Sequence, residues 1–190
     1  MIKIEKINTL CKGKYLELKE VYFEENGKKR RWEVCSAHNS VAVLIYDRDL
    51  ESIIMVKQFR LPLYLKGTHG YSYELCAGLC DKNGLEEIKV AKEEILEECG
   101  YDVDIKNIKK ITSTYSNVGN MAAKQDIFYV EVTQKEKVNS GGGIDDENIE
   151  VVEIKKDKVE EFLFDESNII TPGAKFALMW WIHYKMKTKN

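Results

Sequence analysis

Apolar and polar residues alternate in the first part of the chain, as they do in strands with one buried face. Residues 13–38 contain the alternating run KYLELKEVYFEE, then Asn26-Gly27, then KKRRWEVCSA. Asn-Gly between two such runs is the strongest short-range signal for a hairpin turn. Largely apolar runs at 41–46 and 52–58 are typical of buried strands. The pattern therefore predicts a β-hairpin followed by a second strand pair.

The centre of the chain predicts a strand, a glycine loop and a helix. An apolar run at 71–77 precedes the loop, and residues 85–99 carry one apolar stripe at helical spacing, formed by Ile88, Ala91, Ile95, Leu96 and Cys99. Gly100 follows at the position where a left-handed residue ends a helix. One face of this helix can therefore be buried.

The other face of the predicted helix is acidic and contains Glu94, Glu97 and Glu98. Like charges four residues apart, such as Glu94 and Glu98, cost an isolated helix roughly 0.2 to 0.5 kcal/mol. A bound divalent cation would remove this repulsion, and carboxylate oxygens are ligands suited to Mg²⁺ or Mn²⁺. The alternative interpretation is a solvated acidic face without a ligand.

The second half of the chain predicts three more strands and two helices. Strands are expected at 110–116, 125–133 and 148–154, a short helix at 157–164, and a final helix that opens at Thr171-Pro172-Gly173. This order of elements indicates an α/β fold, an α/β/α sandwich with a mixed central sheet. The triple glycine at 141–143 suits a segment that closes over a substrate, with an ordinary surface loop as the alternative.

Length and composition fit one main domain with a small lobe. With 190 residues, 44% of them hydrophobic and 32% charged, the chain can bury a sizeable core, and we assign 1–38 to an N-terminal β lobe and 39–190 to the main domain. A net charge of −3 argues against nucleic acid as a partner. Neither an apolar run of about 18 residues nor a signal-peptide core occurs. We therefore expect a cytoplasmic protein without a membrane span.

The strand, glycine loop, acidic helix and glycine stop together resemble the Nudix box, G-x5-E-x7-R-E-U-x-E-E-x-G-U, in which U is apolar. Gly78 corresponds to the first glycine, the run EILEE at 94–98 to E-U-x-E-E, and Gly100-Tyr101 to the final G-U. The match extends over some two dozen residues. It is specific because the glycines and carboxylates occur together in one order.

The chain departs from the Nudix pattern at the residues that brace its loop. Glu93 occupies the position of the arginine, and Gly78 lies one residue further from it than the pattern has. The isolated glutamate of the motif then falls near Gly84 or Leu85, neither of which is acidic. The resemblance implies that these departures affect the rigidity of the loop rather than the metal ligands.

The resemblance also implies which groups hold a metal. Glu94, Glu97 and Glu98, joined by the backbone carbonyl of Ala77, would bind Mg²⁺, with Mn²⁺ as the alternative. Nudix helices use these positions of E-U-x-E-E for that purpose. The resemblance therefore favours a metal site over a solvated face.

Further catalytic groups are implied outside the helix. The tetrapeptide KQFR ends at Arg60 and matches the [KR]-Q-[FY]-R segment that precedes the box, so Arg60 is a candidate for holding a phosphate, with a surface salt bridge as the alternative. The run ENIEV that begins at Glu147 follows a loop that carries an activating acid in similar enzymes. Glu147 is therefore our first candidate for the catalytic base, with Asp146 next and Glu97 in the box as a further candidate.

The N-terminal lobe resembles the same region of ADP-sugar and UDP-sugar pyrophosphatases within the Nudix family, through GKYLELKEVYFEENGKKRRWEV. In that branch such strands pack across a homodimer and two aromatic residues stack on the nucleobase. Tyr15 and Trp32 stand at the matching positions. Stacking of a base on an aromatic face is favourable, while the alternative for each ring is packing on the neighbouring sheet.

The resemblance covers nearly the whole chain and implies Mg²⁺-dependent hydrolysis of a nucleoside diphosphate sugar, of the UDP-glucose or ADP-ribose type, to a nucleoside monophosphate and a sugar phosphate. The UDP-sugar subgroup is the most similar, through YELCAGL, EECGY and the triple glycine. Two other functions stay open at this point. Glu93 in place of the arginine keeps a non-catalytic nucleotide-sugar sensor under consideration, and a merely solvated acidic cluster would indicate a scaffold.

Overall fold

The described part of the chain contains two β-sheets, four α-helices and one 3-10 helix at Ile105–Asn107. The structure is a computed structural model that describes residues 1–81, 84–144 and 147–187, with side chains described as far as Tyr184. Among these residues, no helix has the length and apolar character needed to span a membrane.

The first sheet is antiparallel and contains β1 (Ile2–Lys12), β2 (Glu17–Glu25) and β3 (Lys28–Ser36), in that order. Asn26 and Gly27 have φ values of 52° and 79°, as a type I′ hairpin turn requires. The predicted hairpin of β2 and β3 is therefore confirmed. Strand β1 was not predicted, and it extends the hairpin into a three-stranded sheet.

The second sheet has seven strands of mixed direction. β4 (Ser40–Asp47) and β9 (Ala123–Val132) run parallel at its centre, and the path across it is β10-β5-β4-β9-β8. The other three strands of this path pair antiparallel with their neighbours and are β5 (Ser52–Phe59), β8 (Lys109–Ser116) and β10 (Ile149–Lys155). All five strands confirm the sequence prediction, with ends that differ by about one or two residues.

The second sheet divides between β4 and β5. These two strands pair only through residues 45–47 and 52–54. Beyond that point β6 (Tyr71–Glu74) pairs with β5, while β7 (Cys76–Leu79) pairs with β4. The one strand predicted at 71–77 is therefore two strands, because the chain changes its partner at Leu75.

Helices cover both faces of the divided sheet. α2 (Glu87–Cys99) packs on one face through Val90, Ala91, Ile95 and Cys99. α3 (Val159–Phe164) and α4 (Pro172–Lys187) pack on the other face, through residues that include Leu163, Leu178 and Trp181. This arrangement confirms the predicted α/β/α sandwich. A short helix, α1 (Leu61–Leu65), was not predicted and buries none of its residues.

The first sheet is tied to the second through the loop between β8 and β9. The Trp32 indole N–H donates a hydrogen bond of 2.6 Å to the Gly119 carbonyl. The Cys35 backbone N–H donates one of 2.7 Å to the Asn120 carbonyl. These contacts fix the position of the Trp32 ring relative to the main sheet.

Candidate active site

Glu98 is a buried carboxylate at the point where α2 meets β7. Its side chain follows the apolar stripe of the helix inward and is 3% exposed. One carboxylate oxygen accepts a hydrogen bond of 2.8 Å from the Ala77 backbone N–H. The pKa of Glu98 is raised from 4.5 to about 8, chiefly by burial and also by the charges of Glu94 and Glu147. A solvated acidic face is therefore the wrong interpretation for this residue.

Gly78 makes room for the second carboxylate, Glu94. A Cβ atom placed on Gly78 would lie 1.8 Å from Glu94 Oε1, which no side chain tolerates. The first glycine of the motif therefore lets the Glu94 carboxylate reach β7, next to Ala77 and close enough to Glu98 to raise its pKa. Glu97 is half-buried on the same helix.

The carboxylates fit a hard divalent cation in their chemistry. Their oxygens are the ligands that Mg²⁺ and Mn²⁺ prefer, and the mutual repulsion of Glu94 and Glu98 is what a cation would neutralise. Among residues 1–81, 84–144 and 147–187, no three acidic, histidine or cysteine side chains already converge at metal-binding distance. Metal binding by Glu94, Glu97, Glu98 and Ala77 therefore stays a prediction.

Arg60 is held by a buried glutamate that sequence reasoning missed. Its guanidinium donates two hydrogen bonds of 2.7 Å to the two oxygens of Glu74, and the Ser72 hydroxyl donates a third of 2.6 Å to Glu74 Oε1. Glu74 raises the pKa of Arg60, and the charges of Glu98 and Glu147 raise it further. Arg60 is thus in a salt bridge and also within electrostatic reach of the carboxylate cluster. An acidic residue at the end of the apolar run YSYE was the signal for Glu74.

The triple glycine caps the C-terminal end of α2. The Gly142 N–H donates a hydrogen bond of 2.8 Å to the Glu98 carbonyl, and the Gly143 N–H donates one of 3.1 Å to the Glu97 carbonyl. Such bonds satisfy carbonyls that a helix end leaves without a partner. A Cβ atom on Gly141 would lie 2.2 Å from the Glu98 carbonyl oxygen, so this close approach needs glycine. The segment therefore fixes the helix end, and its closure over a substrate remains a prediction.

Glu147, the first candidate for the base, lies near this cluster. Its charge contributes to the raised pKa values of Glu98 and Arg60. The carboxylate is exposed and accepts a hydrogen bond of 3.3 Å from the Ile144 backbone N–H. Asp146, the second candidate, lies outside the described residues. The structure thus places Glu147 within electrostatic reach of Arg60 and Glu98.

Trp32 lies in an open groove beside the loop between β8 and β9. The groove has a volume of about 710 Å³ and is lined by Trp32, its two neighbours in β3, and Asn117, Gly119 and Asn120. A second cavity of about 450 Å³ also has Asn117 in its wall and reaches Glu74 and Ala77. Tyr15 lines a separate cavity of about 300 Å³, with no lining residue in common with the Trp32 groove. Within one chain, the structure does not bring Tyr15 and Trp32 together.

Two pyrophosphatases are similar in sequence to most of the chain. The chain is 32% identical over 194 residues to uridine diphosphate glucose pyrophosphatase NUDT14 of Bos taurus, which covers 87% of each protein. It is 32% identical over 186 residues to GDP-mannose pyrophosphatase of Salmonella arizonae, which covers 92% of this chain and 94% of the relative. No family model matches the chain.

A solved structure shares the fold over the whole chain. It is described as the crystal structure of an ADP compounds hydrolase, covers 100% of this chain and 96% of its own, and superposes with a TM-score of 0.75 at 17% identity. At that identity the similarity concerns the fold alone. Together with the relatives above 30% identity and the match to the Nudix box, it leads to one conclusion: the chain belongs to the Nudix hydrolase family, as one of its pyrophosphatases.

Proposed function

We propose that the protein hydrolyses the pyrophosphate bond of a nucleoside diphosphate sugar in a Mg²⁺-dependent reaction that releases a nucleoside monophosphate and a sugar phosphate. One observation carries the proposal: the buried Glu98 lies beside Glu94, with Arg60 and Glu147 within electrostatic reach. The names of the relatives support the substrate class. They add GDP-mannose to the UDP-glucose and ADP-ribose types that the sequence implied.

Glu94, Glu97 and Glu98 would hold the cation, with Mn²⁺ as a possible replacement. Bound Mg²⁺ would supply charge neutralisation on the phosphates and a lowered pKa for a coordinated water. The Ala77 N–H fixes the orientation of the Glu98 carboxylate through its 2.8 Å hydrogen bond. Gly78 leaves the space in which Glu94 approaches β7.

Arg60 and an acidic residue complete the proposed chemistry. The paired hydrogen bonds with Glu74 hold the Arg60 guanidinium in one orientation, which leaves its remaining N–H donors for a phosphate oxygen. Glu147 is the proposed acceptor of the proton from the attacking water, because it is exposed and close to this cluster. Glu97 is the alternative acceptor among the described residues.

The N-terminal lobe, residues 1–38, is proposed to bind the base and to form a homodimer. Trp32 presents a half-exposed indole face in the open groove, with its N–H already engaged by Gly119. Tyr15 is 66% exposed in a different cavity, so it would reach the same base only from the other subunit of a dimer. Residues 39–190 would then form the catalytic domain of a cytoplasmic enzyme.

The test is an assay of the purified protein against UDP-glucose, UDP-galactose, GDP-mannose, ADP-ribose and ADP-glucose, each with Mg²⁺ and with EDTA. We expect metal-dependent release of nucleoside monophosphate from one or more of them. Glu98→Gln should reduce kcat by at least about 10-fold, because even mutation of a group that only supports a metal ligand typically costs 10- to 100-fold in activity.

Glu160→Gln is the matched control, because Glu160 is an exposed glutamate on α3, outside the site. It should leave turnover unchanged. Full activity of a correctly folded Glu98→Gln protein would refute the role given to Glu98. Binding of sugar nucleotides without turnover at saturating Mg²⁺ would instead favour the sensor.

A further inference from the structure

We infer that the cavity between β8, β9 and the start of α4 is the subsite for the sugar group of the substrate, and that Gln125 is a specificity-determining residue within it. The inference rests on the proposed function and deepens it. The cavity has a volume of about 450 Å³ and is separate from the groove that contains Trp32.

A row of polar side chains crosses three neighbouring strands at this cavity. Ser40 of β4 lies opposite Gln125 of β9, and Gln125 lies opposite Thr114 of β8. Side chains of directly opposed residues point to the same face of a sheet. The next row on this face contains Ala42 and Ile127, which are buried in the apolar core under α4. The core therefore ends where the hydroxyl and amide groups begin.

The chemistry of the lining suits a neutral, hydroxyl-rich group. Among the described residues that line this cavity, Glu74 is the one charged side chain, and its oxygens are already paired with Arg60 and Ser72. No lysine or arginine is among the described residues of this lining, so the cavity offers no cationic side chain for a phosphate. Hydroxyl and amide groups instead provide both donors and acceptors, as the hydroxyls of a sugar require.

The Gln125 carboxamide is held in a fixed position with hydrogen-bonding capacity to spare. Its Nε2 donates a hydrogen bond of 3.3 Å to the Ser40 hydroxyl. Its Oε1 lies 2.5 Å from the place where a Cβ atom on Gly173 would stand, so the absence of a side chain at Gly173 makes room for it. Ser40 is the hydrogen-bond partner of this carboxamide within the described residues. The Oε1 acceptor and one N–H donor thus remain for a ligand.

The location of the cavity agrees with a sugar subsite. Its wall includes Ala77, whose N–H binds Glu98 in the carboxylate cluster, so a group in the cavity lies next to the reacting phosphates. Asn117 also lines the Trp32 groove, so a bent substrate can extend from one cavity to the other. The base and the sugar would then contact different residues and respond to different substitutions.

The experiment compares two ratios of kcat/KM in the full-length protein. UDP-glucose against UDP-galactose changes the sugar alone, and UDP-glucose against ADP-glucose changes the base alone. Gln125→Met removes the amide at similar size, and Gly173→Ala displaces it. For both variants we expect the sugar ratio to change by about fivefold, the effect of one lost hydrogen bond, and the base ratio to stay within about twofold.

Thr112→Val serves as the control, since Thr112 lies on the same strand as Thr114 but does not line the cavity. It should change neither ratio. Binding of glucose 1-phosphate and of UMP, measured by calorimetry, gives a readout that does not depend on turnover. Gln125→Met should weaken the binding of glucose 1-phosphate by about fivefold and leave the binding of UMP unchanged.

The results separate this inference from the proposed function. Three outcomes in active Gln125→Met and Gly173→Ala variants would overturn the sugar subsite and leave the hydrolase function intact. These are a change in the base ratio alone, an equal change in both ratios, and no change in either ratio. A wild-type protein without turnover of any sugar nucleotide would overturn the hydrolase. In that case, equal binding of glucose 1-phosphate by the wild type and Gln125→Met, or no binding at all, would overturn the subsite as well.

Discussion

Glu98 is an acidic residue in a place that disfavours its charge. It is almost fully buried and has Glu94 as a neighbour. A buried charge is stable only when it is paired or bound to a metal. Hydrogen bonds with the Ala77 backbone N–H and with the Cys76 side chain offset part of this cost. Without a cation, the raised pKa of about 8 means that the Glu98 carboxyl is largely protonated at neutral pH.

The raised pKa predicts how stability depends on pH when metal is removed. Below pH 4.5 both the folded and unfolded states carry the proton, whereas between pH 4.5 and about 8 the unfolded state alone loses it. As the pH rises through this window, the contribution of Glu98 to the free energy of unfolding should therefore fall by roughly 1.4 kcal/mol per pH unit. Urea unfolding in EDTA at several pH values measures it.

The comparison that isolates Glu98 is the wild type against Glu98→Gln, with Glu160→Gln as control. Glu98→Gln should lose this part of the slope, and the control should keep it. An unchanged slope in Glu98→Gln would contradict the assignment. Since Mg²⁺ binds the deprotonated carboxylate, its stabilisation of the wild type should grow from pH 6 to pH 8.

Gly78 permits a prediction that separates metal binding from folding. Gly78 is not among the positive-φ residues, so alanine is compatible with its backbone, but the added Cβ would displace the Glu94 carboxylate. Because a glutamate side chain can rotate away, we expect a change in unfolding free energy of about 1 kcal/mol or less. The Mg²⁺ concentration for half-maximal activity should rise by about tenfold or more.

Gly13→Ala is the control for this substitution, because its nearest neighbour is the Leu16 carbonyl oxygen at an ordinary 3.6 Å and its φ is not positive. Gly13→Ala should leave the Mg²⁺ requirement unchanged. If Gly78→Ala behaves in the same way, Glu94 does not bind the metal.

At the level of elements, α2 depends on residues 137–143, a segment that lies at least 38 positions after the end of the helix. The backbone N–H groups of Gly142 and Gly143 donate hydrogen bonds to the last carbonyls of α2, and the Lys137 ammonium donates one of 2.7 Å to the Cys99 carbonyl. A positive charge at this end also favours the helix dipole. The end of α2 that carries Glu97 and Glu98 is therefore held in place by residues 137–143.

Substitution of Gly141 tests this cap. Gly141 has φ 71°, and an added Cβ would lie 2.2 Å from the Glu98 carbonyl oxygen. Gly67 has φ 85° and open space around it, so Gly67→Ala measures the cost of the backbone conformation alone, about 1 to 2 kcal/mol. Gly141→Ala should lower the free energy of unfolding by about 1 to 3 kcal/mol more than Gly67→Ala does, because its Cβ would overlap with the backbone of Glu98.

Thermal and urea unfolding measure both variants, and kcat reports on the position of Glu98. Gly141→Ala should lower kcat, while Gly67→Ala should not. Equal losses of stability in the two variants would mean that the glycine segment does not hold the helix end.

Most elements were predictable because each has a local signal. The Asn26-Gly27 turn, the apolar stripe of α2 and the cap at Thr171 are all determined by residues close in sequence. The division of 71–77 into β6 and β7 was not predictable, since it depends on which distant strand each half pairs with. Strand β1 was missed because its apolar residues are not buried within the chain.

The candidate site follows the same rule. The box carboxylates and Arg60 could be found from spacing within short motifs, whereas the contacts that Glu74 and Gln125 make could not. Glu74 matters because its strand pairs with β5, the strand that Arg60 directly follows, and Gln125 matters because three strands align it with Ser40 and Thr114. Such relationships arise from sheet register, which no short motif contains.

At the level of the whole molecule, the first sheet exposes an unusual amount of apolar surface. Four large apolar side chains of β1 are about half exposed or more, namely Ile2, Ile4, Ile7 and Leu10. β1 is an edge strand that pairs only with β2 in the sheet. Exposed apolar surface on an edge strand is typical of a protein interface. This observation supports the proposed homodimer through the N-terminal lobe.

The dimer predicts linked changes in mass and in substrate selection. Light scattering should give twice the mass of one chain for the wild type, and Ile4→Lys combined with Ile7→Lys should give monomers, because two buried charges oppose association. Lys6→Gln, on the same strand, should remain dimeric.

Because Tyr15 and Trp32 lie in separate cavities of one chain, a base held by both needs two subunits. The monomeric variant should therefore lose base selectivity to the same extent as Tyr15→Ala and keep the wild-type ratio between UDP-glucose and UDP-galactose. A monomeric wild type with full base selectivity would exclude Tyr15 from base binding.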